Sequence, residues 1–362
     1  GRKLFVMGCL PQRFPNQLEN QLPEVDAFFG VGDFGGLVSA LRAPETASGN
    51  DLFLRRKLLS PPHTAYLRIA DGCSQGCTYC TIPRIRGPLR SRTPQDILHE
   101  TQNLADRGVV ELIVIAQETT SYGTDLKPQS NLVSLLKTLS TVNGILWIRL
   151  MYTHPPALTD DMIDGLAQID HLCHYLDFPI EHASDSVLEA MNRRTNRARL
   201  RQQINLLRKA IPDIALRTSV IVGHPGEGER EFAELVNFLD EIRFEHLGVF
   251  AFSPEEGTPA VNLPDPVSPE EARDRRDQLM LLAQDWAEEK NHSRIGQHVA
   301  VLVDNTNPVK NISMARTERD APDIDSTVIV SRILQPGKFE TVKITGFEGH
   351  DLLANMKEPR AA

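Results

Sequence analysis

The sequence predicts an α/β protein: a partial (β/α)6 barrel with a short N-terminal unit before it and a small antiparallel β-barrel after it. Three observations carry this. From Tyr66 to Phe252, apolar β-rich runs alternate regularly with helical ones, the signature of βα units and a parallel sheet. Beyond Ile295 the texture changes to short β runs separated by turn residues. Three of the five cysteines fall within eight residues, directly after the first barrel strand.

At 362 residues the chain has room for two or three domains. Hydrophobic residues at 41% and charged residues at 24% exclude global disorder and collagen-like composition. The 39 Lys and Arg against 48 Asp and Glu, a net charge of −9, argue against whole-surface phosphate binding and suit a basic partner better. No run approaches the ~18 apolar residues of a spanning helix. Gly1-Arg2-Lys3-Leu4 lacks the apolar run of a secretory signal, so the expectation is a cytoplasmic protein with no membrane partner.

Residues 1–57 hold one strand-like run, Cys9, a helix around Gln12 to Leu22, and a polar, Gly-rich stretch from Gly30 to Asn50. That is too little for an independent α/β domain. A chain that opens without Met and enters Leu4-Phe5-Val6-Met7 at once is expected to begin inside a domain. Residues 58–292 form the barrel and a connector helix, with strands expected at Tyr66–Ala70, Glu111–Ala116, Leu146–Met151, Tyr175–Ile180, Ala215–Val222 and Leu247–Phe252. Each gap is long enough for a crossover helix. One helix start is legible in detail: Thr93 caps, Pro94 occupies the first position, Asp96 completes the box, and Gly108 follows the end. Ser268-Pro269-Glu270-Glu271 opens the charged connector, expected to run to about Asn291. In 293–362, β runs at Val299–Val303, Ser326–Val330 and Glu340–Thr345, with turns at Asn305, Pro336-Gly337 and Gly346, predict the small antiparallel barrel.

In Cys73-Ser-Gln-Gly-Cys77-Thr-Tyr-Cys80 the thiolates emerge at the strand end where barrel chemistry gathers. Structural zinc takes four ligands from paired knuckles, whereas three thiolates hold three irons of a four-iron cluster and leave the fourth open. The bland alternative is an incomplete zinc site or a loop with chance cysteines.

This spacing resembles that of radical S-adenosylmethionine enzymes. The resemblance implies that the open iron chelates the amino and carboxylate groups of S-adenosylmethionine. It implies further that one electron cleaves the sulfonium to a 5′-deoxyadenosyl radical, which abstracts hydrogen from an unreactive carbon. Tyr79 is then expected near the adenine, or serves only loop packing. Finer features resemble the methylthiotransferases along nearly the whole chain: Gly72-Cys73 through Cys80-Thr-Ile-Pro83-Arg-Ile-Arg86-Gly87, Gln117-Glu118-Thr119-Thr120-Ser-Tyr122-Gly123, Val222-Gly223-His-Pro225-Gly226-Glu227 and Phe252-Ser253-Pro254-Glu255-Glu256-Gly257-Thr258-Pro259-Ala260. Glycines such as Gly223 would permit close backbone approach to a ligand, and Gln117 and Glu118 would accept the cofactor's ammonium, or these loops are plain turns. Arg217 would point to the cofactor carboxylate or pair a carboxylate in the barrel mouth. Pro179-Ile180-Glu181-His182-Ala183-Ser184 matches a motif that more usually has Gln where Glu181 stands.

The resembled family carries a second, auxiliary 4Fe-4S cluster on three cysteines of an N-terminal domain. Phe5-Val-Met-Gly8-Cys9-Leu-Pro-Gln12 and Pro23-Glu-Val-Asp26 resemble that domain's end, which makes Cys9 the third ligand, the first two lying upstream. This chain alone is then expected to hold that cluster incompletely. Cys173 has no partner spacing and reads as core. The terminal barrel would be a TRAM-type, OB-like substrate-docking domain, and the electron donor a flavodoxin or ferredoxin.

Within the family the chain is most like the type that adds a methylthio group to an aspartate β-carbon of ribosomal small-subunit protein twelve, free or in the small subunit. The rivals are the tRNA adenosine methylthiotransferase and a non-catalytic iron–sulfur protein that binds ribosome or RNA. Three features favour the protein substrate. Residues 295–362 hold eight basic and nine acidic residues, too few positive charges for gripping a tRNA backbone. Asp320-Ala-Pro-Asp323-Ile-Asp325 is an acidic turn expected to attract a basic protein loop or stay solvated. Glu255-Glu256 stand where tRNA-modifying relatives typically show Arg-Pro, and Gln117-Glu118-Thr119-Thr120 is closer to the protein-modifying type.

Overall fold

The computed structural model describes residues 2–41 and 56–356. At the N-terminus β1 (Phe5–Met7) pairs in parallel with β2 (Ala27–Phe29), flanked by α1 (Cys9–Arg13), α2 (Pro15–Gln21) and α3 (Phe34–Ala40). The single helix expected over Gln12 to Leu22 is two helices, because Pro15 has no N–H to donate and disfavours the helical region for Phe14 before it. The Gly-rich stretch contributes α3, capped by Asp33, whose carboxylate accepts from the Gly36 N–H; residues 42–50 of that stretch lie outside the described residues.

The chain then enters β3 (Thr64–Arg68). A two-stranded clip of β4 (Ala70–Asp71) and β5 (Arg90–Ser91) follows, with α4 (Ile82–Arg86) between them. Beyond it come α5 (Pro94–Asp106), β6 (Glu111–Ile115), α6 (Leu132–Ser140), β7 (Trp147–Leu150), α7 (Asp160–Leu166), β8 (Leu172–Asp177), α8 (Asp185–Ala190), α9 (Arg197–Ala210), β9 (Ala215–Val222), α10 (Glu229–Ile242) and β10 (His246–Ala251). Strands β10-β9-β8-β7-β6-β3 form one all-parallel sheet in that order, with β3 and β10 at open edges. All six expected strands are present. The first ends two residues early, because Ala70 leaves the sheet to pair with Ser91 in the clip. Thr93 caps α5 as expected, accepting from the Asp96 N–H at 3.2 Å. The apolar faces of these helices bury Ile97, Leu104, Leu135, Leu139, Leu200, Ile204, Leu235 and Leu239 in one core against the sheet.

Helix α11 (Pro269–Arg294), capped by Ser268, is more than a connector. It packs along edge strand β10, buries Leu279 and Trp286, and sends Arg275 to Glu227 at 3.0 Å. It thereby covers one of the sheet's two exposed edges. The terminal unit is a closed five-stranded barrel, β11 (His298–Asn307), β12 (Ile312–Arg316), β13 (Val328–Val330), β15 (Asp351–Met356) and β14 (Phe339–Glu348), around Val301, Val303, Val330, Ile344 and Leu352. It is not wholly antiparallel: β13 runs parallel to β15. Closure imposes that pairing, since β13 and β15 are not joined by a hairpin and meet only where the barrel shuts.

The small barrel docks on the strand starts of the sheet. Arg316 donates to Glu111 at 2.7 and 3.2 Å and to Asp304 at 2.7 and 2.9 Å; Glu111 also accepts from Arg149 Nε at 3.0 Å. Trp147 meets Phe339 edge-on at 4.8 Å. The acidic turn belongs to this contact. Asp320 and Asp325 are buried, Asp325 accepting from the Tyr175 hydroxyl at 2.8 Å, so only Asp323 of the three carboxylates faces outward. Both the docking and the solvated readings of Asp320 and Asp325 are therefore corrected. The cause is that Arg217, His246 and Tyr175 at the sheet's base offer these carboxylates partners.

Burial alone would raise the Glu111 carboxyl, but Arg149 and Arg316 outweigh it and hold it below the usual carboxylate range. The ion pairs are thus intact at neutral pH and weaken as pH falls below about 4.3, the ordinary glutamate value. Removing Arg316 strips Glu111 of one of its two guanidinium partners and Asp304 of its guanidinium inside a buried network, so Arg316→Met is expected to cost about 3–5 kcal/mol in urea unfolding at pH 7. A loss under about 1 kcal/mol would show that this network does not hold the two units together.

Candidate active site

The cysteine loop leaves the opposite end of the sheet, where β3 finishes. Residues 72–89 are closed at their base by the β4–β5 clip and pinned along their length. The Gly72 N–H donates to Gln117 Oε1 at 2.7 Å, the Cys73 N–H to the Gly87 carbonyl at 3.1 Å, and the Leu89 N–H to Ser74 Oγ at 3.1 Å. Gly72 is required: its φ is +74°, and a Cβ there would lie 2.1 Å from the Pro88 carbonyl oxygen. Further along, Thr78 donates from its N–H to Met191 O and from its hydroxyl to Ala190 O, and Asn192 Nδ2 donates to Gly76 O at 2.9 Å. The end of α8 therefore backs the loop.

The three cysteines are half-buried, and all five cysteines are free thiols. Burial raises the Cys73 and Cys80 thiols; Glu118 and the other two cysteines raise Cys73 further. Among the described residues, no three His, Cys, Asp or Glu side chains converge as ligands of one metal ion. The donor set of three thiolates on a rigid, glycine-shaped loop fits a cluster that spreads its irons over several ångströms, and does not form a zinc knuckle.

Around the loop the other motifs assemble as expected from the strand ends, with specific differences. Tyr79 packs edge-on against His224 at 6.5 Å, which meets Phe252 at 5.2 Å, so the loops after β3, β9 and β10 share one aromatic wall. Glu118 accepts from Gln75 Nε2 at 3.1 Å and from the Ser121 N–H at 3.0 Å, holding its carboxylate beside the loop. Gln117's carbonyl is taken by Gly72, leaving its amide. Gly223 lies against α11: a Cβ there would lie 2.4 Å from Ala272 Cβ, so this glycine makes room for a helix. Arg217 pairs with Asp177 at 3.3 Å and with Asp325 of the small barrel at 3.5 Å, the carboxylate-pairing alternative, toward the strand starts. Cys173 is buried core, its thiol pushed up to about 12 by burial.

Cys9 is exposed at the head of α1, and α1 packs on α4, the helix that follows Cys80. Arg13 at the end of α1 donates to Glu255 at 2.6 Å and to the Glu256 carbonyl at 2.9 Å. Glu255 thus clasps the N-terminal unit beside the cysteine loop, a role invisible in its local sequence. Sequence reading also missed Arg193, whose guanidinium reaches Cys77 Sγ at 3.8 Å, and the placement of Glu181 next to Tyr79 and Arg193. Met-Asn-Arg-Arg carries no motif signal; only the turn after α8 brings Arg193 to the loop.

The fold and this loop define a class. A family model described as the radical SAM superfamily matches residues 67–239, and one described as the TRAM domain matches residues 295–356. Escherichia coli coproporphyrinogen III oxidase, described as a radical SAM enzyme, shares the fold at a TM-score of 0.51 and 18% identity over 67% of this chain and 57% of its own. Similarity to curated proteins is far closer. The ribosomal protein uS12 methylthiotransferase RimO of Clostridioides difficile is 41% identical over 98% of this chain and 82% of its own length. That of Syntrophus aciditrophicus is 42% identical over the same shares. The chain belongs to the RimO family of radical SAM methylthiotransferases.

Among the described residues, no helix is long and apolar enough to cross a membrane. Buried His154, beside the site, has neither ring nitrogen hydrogen-bonded among the described residues; burial, aided by Arg193 and Arg194, holds its pKa down to about 3. The unfolded chain takes up this proton near pH 6.5 and the folded chain only near pH 3, so stability falls as pH drops through that window. His154→Gln, which does not titrate, is expected to flatten the slope of urea-unfolding free energy between pH 6 and pH 4; an unchanged slope would show that His154 is not the group.

Proposed function

We propose that this chain adds a methylthio group to the β-carbon of an aspartate in ribosomal protein uS12, replacing an unactivated C–H bond. The observation that carries the reading is similarity above 40% over 98% of the chain to enzymes named for that reaction, joined to a pinned three-cysteine loop at the strand end of a radical SAM fold. Cys73, Cys77 and Cys80 would hold the 4Fe-4S cluster, and Cys9 would be one ligand of the auxiliary cluster. Bound there, the first cluster supplies the electron that cleaves S-adenosylmethionine.

The chain's own groups do the rest. Glu118, held by Gln75 and Ser121, presents a carboxylate to the methionine ammonium, while the Gln117 amide remains available after its carbonyl is engaged. Tyr79, His224 and Phe252 form an apolar wall suited to an adenine face and keep water from the reacting carbon. Arg217 is committed to Asp177 and the small barrel, so we do not assign it to the cofactor, while Gly223, packed on α11, is assigned to the cofactor side through its backbone alone. A low-potential donor such as a flavodoxin or ferredoxin would supply the electron. Of the features favouring a protein substrate, the near-neutral charge of the terminal barrel, Glu255-Glu256 and Gln117-Glu118-Thr119-Thr120 support the reading, and the acidic turn does not.

Two experiments test this. Anaerobic reconstitution is expected to load about four iron and four sulfide per cluster, lost when Cys73, Cys77 and Cys80 all become Ala; zinc retained through aerobic purification would overturn the metal assignment. The enzyme made from its complete coding sequence, given uS12 or small subunits in one tube and unmodified tRNA in another, is expected to add a methylthio mass to the protein aspartate. Methylthio-adenosine in the tRNA with no gain on the protein would overturn the substrate.

A further inference from the structure

Arg193 is 4% exposed, among the most buried charges in the molecule. Its Nη2 donates to the Pro179 carbonyl at 2.6 Å and its Nη1 reaches Cys77 Sγ at 3.8 Å, while its Nε has no partner among the described residues. A buried guanidinium costs several kcal/mol to desolvate unless anions compensate it. Two candidates stand beside it: Glu181, whose own carboxyl burial pushes up, and the Cys77 sulfur. Glu181 sits at φ +66°, a conformation rare for a residue with a side chain. Its backbone is fixed between neighbours, its N–H donating to Ser219 O and its carbonyl accepting from the Ile221 N–H. The carboxylate and the cation are therefore built into the wall behind Cys77.

We infer that Arg193 is a positioning and tuning residue for the barrel cluster: its guanidinium donates to the Cys77 thiolate and stabilises the reduced state. The inference rests on the proposed assignment of the cluster to Cys73, Cys77 and Cys80. Reduction adds one electron from a low-potential donor and makes or breaks no bond. The added negative charge spreads onto the cysteine sulfurs, so a fixed positive hydrogen-bond donor on one of them favours the reduced form and raises the potential. The low-dielectric surroundings of Arg193 keep that effect from being screened.

The test is a reductive titration followed by electron paramagnetic resonance, on the anaerobically reconstituted chain without S-adenosylmethionine. Parent, Arg193→Gln and Arg193→Lys are compared, with iron and sulfide measured first on each. A parent without a cluster would sink the cysteine assignment; the potentials of loaded proteins judge Arg193 separately. Arg193→Gln is expected to shift the one-electron equilibrium toward the oxidised state about tenfold, or about 59 mV, whereas Arg193→Lys, which keeps the charge, stays within about threefold of the parent. A potential of Arg193→Gln within about twofold of the parent, or equal shifts in both variants, overturns the inference, since a residue that merely packs would not separate charge from shape. Should Arg193→Gln fail to hold a cluster, Arg193→Lys decides: a shift beyond about threefold overturns the inference, and a parent-like potential supports it.

Discussion

Everything at the candidate site depends on holding three thiol groups together in a half-buried loop. Burial works against ionising Cys73 and Cys80, and the Cys77 sulfur raises both further, so the arrangement is unfavourable until a positively charged metal centre joins it. A loop under such repulsion opens unless its backbone is anchored. The anchors come from four directions: the β4–β5 clip at the base, Gln117 after β6, the end of α8 behind, and the Thr78 carbonyl, which accepts from the Ala260 N–H, in front. Gly72 is the point where these demands meet, because its left-handed backbone lets the chain turn against Pro88 with no side chain in between.

The two ends of the sheet divide the work. The strand ends after β3, β6, β9 and β10 carry the thiols, the acidic and amide groups and the aromatic wall. The strand starts carry a dense ion network that holds the small barrel. Charged residues are numerous at both ends, yet their physics differs. At the base, Glu111, Arg149, Arg316 and Asp304 form one ion-paired network that serves cohesion, in which Arg149 Nη2 is left without a hydrogen-bond partner among the described residues. At the top, His154, Arg193 and His224 retain buried nitrogens with no hydrogen-bond partner among the described residues, an arrangement characteristic of a site shaped for groups outside the chain. The N-terminal unit joins this upper end through α1 on α4 and through Arg13 on Glu255, which brings Cys9 to the same side as the cysteine loop.

Much of this was legible in the sequence because it rests on local chemistry. Alternating apolar runs mark six strands through the two-residue period of a sheet, Thr93 and Ser268 mark helix starts through orphan N–H groups, and the cysteine spacing marks the loop. Where only local rules were available and long-range ones applied, the reading missed: β12 and β15 are too mixed in polarity to stand out, and β13 lies parallel to β15 because closing a barrel imposes the pairing.

The sequence by itself determined the class of fold, the thiol set and the family, because each is written in residues adjacent along the chain. Tertiary structure decided which charges are functional. Asp320 and Asp325 look like a solvated acidic turn and are buried counter-ions at the sheet's base. Glu255, a mark of the protein-modifying type in the sequence, also clasps Arg13, whereas Arg193, anonymous in the sequence, touches the Cys77 sulfur. A charged side chain's role is set by its burial and by partners distant along the chain, and neither quantity is present in local spacing.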